Sequence, residues 1–238
     1  MTLRRTIAHG ASGLVLAACI VFAWQNAAAA QNCDAAAAPG VNWQDCDKKL
    51  LILEGQDLSG ANLISVDFTS TDLRNSNLLA ANFEKATLVR ASLADSTAKG
   101  ARFDKIEAYR TDFSHMDAQG AVFTGAEVQR SNFQDANLTN VDFTKAELGR
   151  AQFHDADISG SRFSFANLAR ADFRGATFTA PIDFDRAFFF QTRIEGLDLS
   201  KSAGLSQWQL NMACGDARTE LPSGLTRPED WPCQFQQE

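Results

Sequence analysis

The chain has 238 residues, enough for one ordinary domain or two small ones, and its 45% hydrophobic and 21% charged content excludes a disordered chain. With 22 Lys and Arg against 29 Asp and Glu, the net charge of -7 excludes nucleic-acid binding by backbone electrostatics. There are 18 Phe but one Tyr, so something repetitive selects phenyl rings.

Residues 1–30 read as a secretory signal peptide. Arg4 and Arg5 precede an apolar stretch over 11–24, and the small run Ala27 to Ala30 offers a cleavage site before Gln31. That stretch is short for a membrane span, which takes about 20 residues, so no transmembrane segment is expected once the signal is gone. Two rival readings are a lipoprotein box at Leu16-Ala17-Ala18-Cys19, which would anchor the chain through Cys19, and a twin-arginine signal at Arg4-Arg5. Ile20-Val21-Phe22 prolongs the apolar run past Cys19 and suits an ordinary signal better. Cleavage removes two Arg and no acid, leaving 20 basic against 29 acidic residues, a net charge of -9.

From Leu53 to Phe178, every fifth residue is apolar; of these 26 positions, 21 are Leu or Phe. Two residues before each the side chain is small, as at Ala61 and Ala171, and the residue between is usually Asp or Asn, as at Asn62 and Asp172. Neither a helix nor a plain strand has a period of five. The pattern A-(D/N)-(L/F)-x-x resembles the pentapeptide-repeat family over about 51–199. The resemblance implies an all-β fold, a right-handed quadrilateral β-helix with one repeat per side and four per coil. In such a solenoid the small and the large apolar residues face inward, and stacked coils share one core. A step of six from Phe178 to Phe184, with Pro181 in the extra residue, predicts a bulge; Phe189, Ile194 and Leu199 resume the frame. The 30 repeats make about 7.5 coils, a rod roughly 36 Å long.

The organisation expected is a signal at 1–30, an N-terminal cap at 31–50, the solenoid at 51–200 and a C-terminal cap at 201–238. Val41 and Trp43 fit the frame but Lys48 breaks it. Ser206 and Gln209 form a capping box that opens a helix over 207–213, followed by a proline-containing tail, with Leu205, Trp208, Leu210 and Trp231 as the plug. Four cysteines allow three connectivities. The repeat array puts them at opposite ends, which favours Cys33 with Cys46 and Cys214 with Cys233; free thiols are the alternative.

Positions twenty apart stack. Large Phe centres recur every ten residues from Phe103 to Phe173, with smaller centres between, so rings on opposite sides fill the bore. Outside, Arg90, Arg110, Arg130, Arg150 and Arg170 form one column, with Glu107, Glu127 and Glu147 each three residues before an Arg. Guanidinium groups about 5 Å apart repel by about 0.8 kcal/mol per neighbour in water. The Glu column offsets this as an ion-pair ladder of small net worth, or else the Arg column docks a carboxylate or phosphate partner. Arg90 and Arg170 lack a Glu and are the freer donors. A second corner carries Asp95, His115, Asp135 and Asp155, and could hold a small cation. A third, Gly100, Gly120, Asn140 and Gly160, tolerates positive φ. A fourth has Lys85, Lys105 and Lys145, interrupted by Gly125 and followed by Phe165. Outward Tyr109, Phe165, Phe188 and Phe190 break the polar exterior; the C-terminal tail is expected to cover the Phe pair, which otherwise makes a contact patch.

His115 and His154 lie on different columns, and no phosphate loop or dinucleotide fingerprint is present. The expectation is a non-catalytic, exported module without cofactor or metal, periplasmic or secreted, binding a protein or envelope partner through a surface column. A homodimer through a solenoid end or face is open to it. The resemblance also implies an alternative, since some pentapeptide-repeat proteins imitate DNA and bind type II topoisomerases; a third reading is small-ion binding at the stacked corners.

Overall fold

A computed structural model describes residues 31–233, so the expected signal and Cys19 lie outside the described residues. From Asn42↔Asn62 to Asp157↔Thr177, a parallel bridge joins every fifth residue to the one twenty later. The chain is thus a β-helix solenoid built from single-residue bridges. In each bridge the middle residue turns both backbone groups toward the preceding coil. Glu127 donates its N–H to Ile106 O at 2.8 Å and accepts from Ala108 at 2.7 Å.

Corners explain the period. Ala61 donates to Leu58 O at 3.0 Å across Gly60, whose φ is +63°. That is a four-residue turn with a left-handed third residue, as in type II. The same corner recurs every five residues, and Lys85, Arg110, Asp135 and Phe165 adopt it at φ between 54° and 60°. Turn chemistry is therefore not confined to the Gly100 column; every corner from Gly40 to Gly175 has left-handed φ. Gly120 has no heavy atom within 4 Å of the Cβ it lacks, so Gly120→Val isolates the backbone cost. Urea denaturation is expected to show a loss of about 1–3 kcal/mol.

The repeat's Asp or Asn has a specific task. Its side-chain oxygen accepts the backbone N–H two residues on, pinning the turn, as Asp57 does from Ser59 at 2.9 Å, Asn132 from Gln134 at 3.0 Å and Asp157 from Ser159 at 2.9 Å. The Ser59 N–H holds the Asp57 carboxyl below the usual carboxylate range.

Inside, two columns of rings fill the bore. Phe103, Phe123, Phe143 and Phe163 stack at 4.6 to 5.1 Å, and Phe113, Phe133, Phe153 and Phe173 at 4.6 to 5.1 Å. Rings of one column meet those of the other edge-on, as Phe133 meets Phe143 at 5.7 Å. Where the small inward residue is Ser or Thr, its buried hydroxyl donates to a carbonyl of the coil before, as Ser131 does to Ala108 O and Thr111 to Leu88 O, both at 2.6 Å.

The register slips from twenty to twenty-one residues between Asp157↔Thr177 and Arg162↔Asp183, the bulge expected around Pro181. The ends differ from expectation. Asn42 and Asp47 already bridge, so the ladder starts inside the segment read as the N-terminal cap. Lys48 keeps the frame because backbone bonds set it: its N–H donates to Asp67 O at 2.8 Å, while its amine lies 4.1 Å from the Trp43 ring centroid. After residue 200, Asp183↔Ala203, Arg193↔Cys214 and Asp198↔Glu220 return the chain to the ladder.

The C-terminal helix α1 spans only Gln207–Leu210, shorter than expected, with the Ser206–Gln209 capping box in place. Trp208 is not part of the plug; it is 61% exposed. The closing polar group is Gln209, buried, whose amide donates to Phe184 O at 2.8 Å and Ala187 O at 3.0 Å. Trp231 packs over Gly215, where any Cβ would strike the indole. Both expected disulfides are formed, Cys33–Cys46 and Cys214–Cys233, with Cα separations of 5.5 and 5.4 Å.

Candidate interaction face

One side of the solenoid gathers nearly all the residues singled out above. Its middle line runs Thr87, Glu107, Glu127, Glu147, Asn167 and Phe188, joined by successive bridges. The Arg corner borders it on one side, and the corner with Lys85, Lys105, Lys145 and Phe165 on the other. The stack is held by the main chain: Arg110 donates its N–H to Gln129 O at 3.1 Å, Arg130 to Gly149 O at 2.9 Å and Arg150 to Ala169 O at 2.9 Å. All five Arg side chains are exposed.

On this face the Asp/Asn rule lapses over four consecutive coils, at Thr87, Glu107, Glu127 and Glu147. A Glu reaches past the N–H that an Asp accepts, so these side chains do not pin the turn. Glu147 instead accepts from Asn167 Nδ2 at 2.8 Å.

The Arg–Glu ladder is not formed. Among the described residues, none of the five arginines makes an ion pair with Glu107, Glu127 or Glu147. The Glu leaves the middle of a side and the Arg leaves the corner beyond it, so a separation of three in sequence does not aim them together. The guanidinium groups of Arg110 and Arg130 lie over the Tyr109 ring instead, 5.2 and 5.9 Å from its centroid. Arg170 is not a free donor; its Nε bonds to Gln191 Oε1 at 2.8 Å.

The described part of the C-terminal tail, to Cys233, does not cover the phenyl pair. Phe188 and Phe190 are 40% and 45% exposed, with ring centroids 6.3 Å apart, and Trp208 reaches within 6.5 Å of Phe188. Phe165 is exposed on the adjoining corner with Arg186 5.3 Å over its ring. The basic corners therefore run up to an aromatic patch, and Trp208 is the member that sequence reasoning assigned elsewhere. Its signal was the capping box itself, which makes Gln209 rather than Trp208 the inward residue of so short a helix.

The other corners hold less. His115 Nδ1 is 3.9 Å from Asp135 Oδ2, and among the described residues no three His, Cys, Asp or Glu side chains gather to hold a metal. The densest ionic cluster centres on Asp172, with His154 Nε2 at 3.0 Å, Arg174 at 2.7 Å and Arg193 at 3.6 Å. Burial raises the Asp172 pKa, but the bonds from Arg174 and the charges of His154 and Arg174 outweigh it and hold the carboxyl below its usual range. With both chemistries spent on one another, this is a brace between coils. No helix among the described residues is long and apolar enough to cross a membrane.

A family model for pentapeptide repeats matches residues 52–78, 109–145 and 146–180 in eight copies. No curated protein matches the chain by sequence. Among solved structures, HetL, a pentapeptide repeat protein involved in heterocyst differentiation regulation from the cyanobacterium Nostoc sp. strain PCC 7120, is 20% identical over 79% of this chain and 90% of its own, with a TM-score of 0.30. Full-length QnrB1, a plasmid-mediated fluoroquinolone resistance protein, is 14% identical over 72% of this chain and 94% of its own, at 0.37. A pentapeptide repeat protein of the Arabidopsis thaliana thylakoid lumen is 31% identical over 44% of this chain and 67% of its own, at 0.19. Nothing about a partner follows from these likenesses.

Proposed function

Because the chain belongs to the pentapeptide-repeat family, we propose that it is a non-catalytic, exported interaction module, a rigid right-handed quadrilateral β-helix of about 7.5 coils that binds an acidic protein or envelope component. Bridges every five residues with partners twenty on support the four-sided section. The observation that carries the docking role is the face from Thr87 to Phe188. There the side chains that elsewhere pin turns are replaced for four coils, the exposed arginines of the column have no carboxylate partner among the described residues, and Phe188, Phe190 and Trp208 lie open at one end. Departures from a local rule concentrate where function displaces stability. Arg offers a planar fork to carboxylate or phosphate, and the aromatics supply the desolvated anchor an interface needs.

Export rests on the N-terminal sequence and the disulfide pairs, which persist in oxidising compartments. The alternative, DNA mimicry toward a topoisomerase, has the acidic net charge of -7 in its favour. It needs a continuous run of negative charge, which this basic face interrupts. Small-ion binding at the Asp95 to Asp155 corner is the third reading and has only the stacked oxygens behind it.

The test compares capture from the periplasmic fraction by the wild-type chain and by a variant with Arg110, Arg130 and Arg150 all changed to Gln. The expected result is a mature chain in that fraction, at least ~10-fold weaker capture by the variant, and a melting temperature within a few degrees of wild type. A chain recovered from the cytoplasm with reduced cysteines, or collapse of the variant's fold, would overturn the reading.

A further inference from the structure

The two ends of the ladder are finished differently. At the C-terminal end the Gln209 amide takes the carbonyls of Phe184 and Ala187, and the Cys214–Cys233 pair ties the tail across. At the N-terminal end Asn32 N–H takes Asn42 O at 3.0 Å and Trp43 Nε1 bonds to Ala35 O at 3.1 Å, which closes one side. Among the described residues no backbone segment pairs with the other three sides of the first coil, although Cys33 is tied to Cys46 and accepts from the Lys48 amine beside the Asp47 side. The backbone N–H and C=O of Asp47, Ile52 and Asp57 face off the end, and among the described residues no backbone group meets them. Two of these edges carry a charged Asp, a usual way of keeping an edge unpaired. The third carries Ile52, 83% exposed, beside exposed Leu50 and Leu51.

We propose that this edge pairs with a second copy of the chain, antiparallel, about a two-fold axis through Ile52. In an antiparallel ladder, residues directly opposite alternate between pairs that exchange both backbone bonds and pairs that exchange none. A residue that turns both N–H and C=O the same way is half of the first kind, so Ile52 of each copy completes the other. The two-fold also buries Ile52 and Leu51 of each copy against the same segment of the other, as an isologous contact requires. The charges beside the edge permit this occupant. Lys49 already pairs with Asp47 and Asp67, Glu54 pairs with Arg74, and the Lys48 amine donates to Cys33 O, so the apolar segment between them enters the contact without burying an unpaired charge. A lipid surface would draw no benefit from Glu54 and Asp57. The segment before Val41 occupies the opposite side, so the two rods join along one side at an angle, and the contact is at the small, transient end of interfaces.

The test uses the protein purified from cells expressing the full chain. Sedimentation equilibrium is expected to show reversible dimerisation rising with concentration. Ile52→Lys should weaken it at least ~10-fold with an unchanged melting temperature, while Leu79→Lys, an exposed apolar site on another side, should not. Opposed residues of such a pair have Cα atoms about 5.5 Å apart, within disulfide reach. Ile52→Cys should therefore oxidise to a covalent dimer and Asp57→Cys should not. A wild-type chain that stays monomeric at every concentration overturns the proposal, as does dimerisation untouched by Ile52→Lys or equal cross-linking at both cysteines. A monomer that binds phosphatidylglycerol vesicles through Ile52 would assign the patch to membrane and equally overturn it.

Discussion

Replacing Phe143 with alanine is expected to lower stability by about 3–5 kcal/mol, read as the shift in a urea denaturation curve. Its ring stacks on Phe123 and Phe163 at 5.1 Å each and meets Phe133 and Phe153 edge-on at 5.7 and 5.9 Å, so truncation opens a hole in mid-bore that no neighbour can fill. In a solenoid each coil touches only the next, and stability is a sum of coil and interface terms. A defect here should split one unfolding transition into two as the halves uncouple. Phe165→Ala, which removes a ring of the same size from an exposed corner, should stay within about 0.5 kcal/mol of wild type. Equal losses from both substitutions would mean that the stacked rings do not hold the coils together.

Changing Cys214 and Cys233 together to alanine is expected to cost about 2–4 kcal/mol, and to lower the melting temperature by about 4–16 °C. The crosslink closes a loop with a sequence separation of 19 and holds the tail against Cys214, itself bridged to Arg193. Without it Trp231 loses its seat over Gly215 and α1 its backing, so the Phe184 and Ala187 carbonyls are uncovered first. Hydrogen exchange should therefore rise at Gln209 and the last coil before the central coils respond. Dithiothreitol, which also opens Cys33–Cys46, should lower the wild-type melting temperature at least as far, and a melting temperature indifferent to both treatments would show that the tail is held by packing alone.

Both predictions rest on features at different depths in the sequence. The five-residue period, the inward rings, the bulge at Pro181 and the capping box at Ser206 were all legible, because each is a local spacing that one element must satisfy by itself. The ladder's start at Asn42 was not, since Lys48 looked like a break in the apolar pattern while the backbone bonds that set the frame carry no side-chain signature. The task of the repeat's Asp or Asn was also hidden. Its bond runs to a backbone N–H, and sequence shows only a polar residue facing outward. The Arg–Glu pairing failed for a geometric reason: proximity in number says nothing about direction where the chain turns a corner between the two residues.

By itself the sequence determined the repeat, the solenoid class, the stacking of positions twenty apart and the cysteine pairs, because a period that neither helix nor plain strand can satisfy leaves few ways to bury its apolar residues. Only the tertiary structure decided where side chains go once they leave the core. It turned Arg110 and Arg130 onto Tyr109, left Phe188, Phe190 and Trp208 open together, buried Gln209 as the closing amide, and left the Ile52 edge without a backbone partner among the described residues. Core positions answer to a packing rule that repeats every five residues, whereas exposed side chains and chain ends answer to neighbours one coil away, and those neighbours exist only after the coils have stacked.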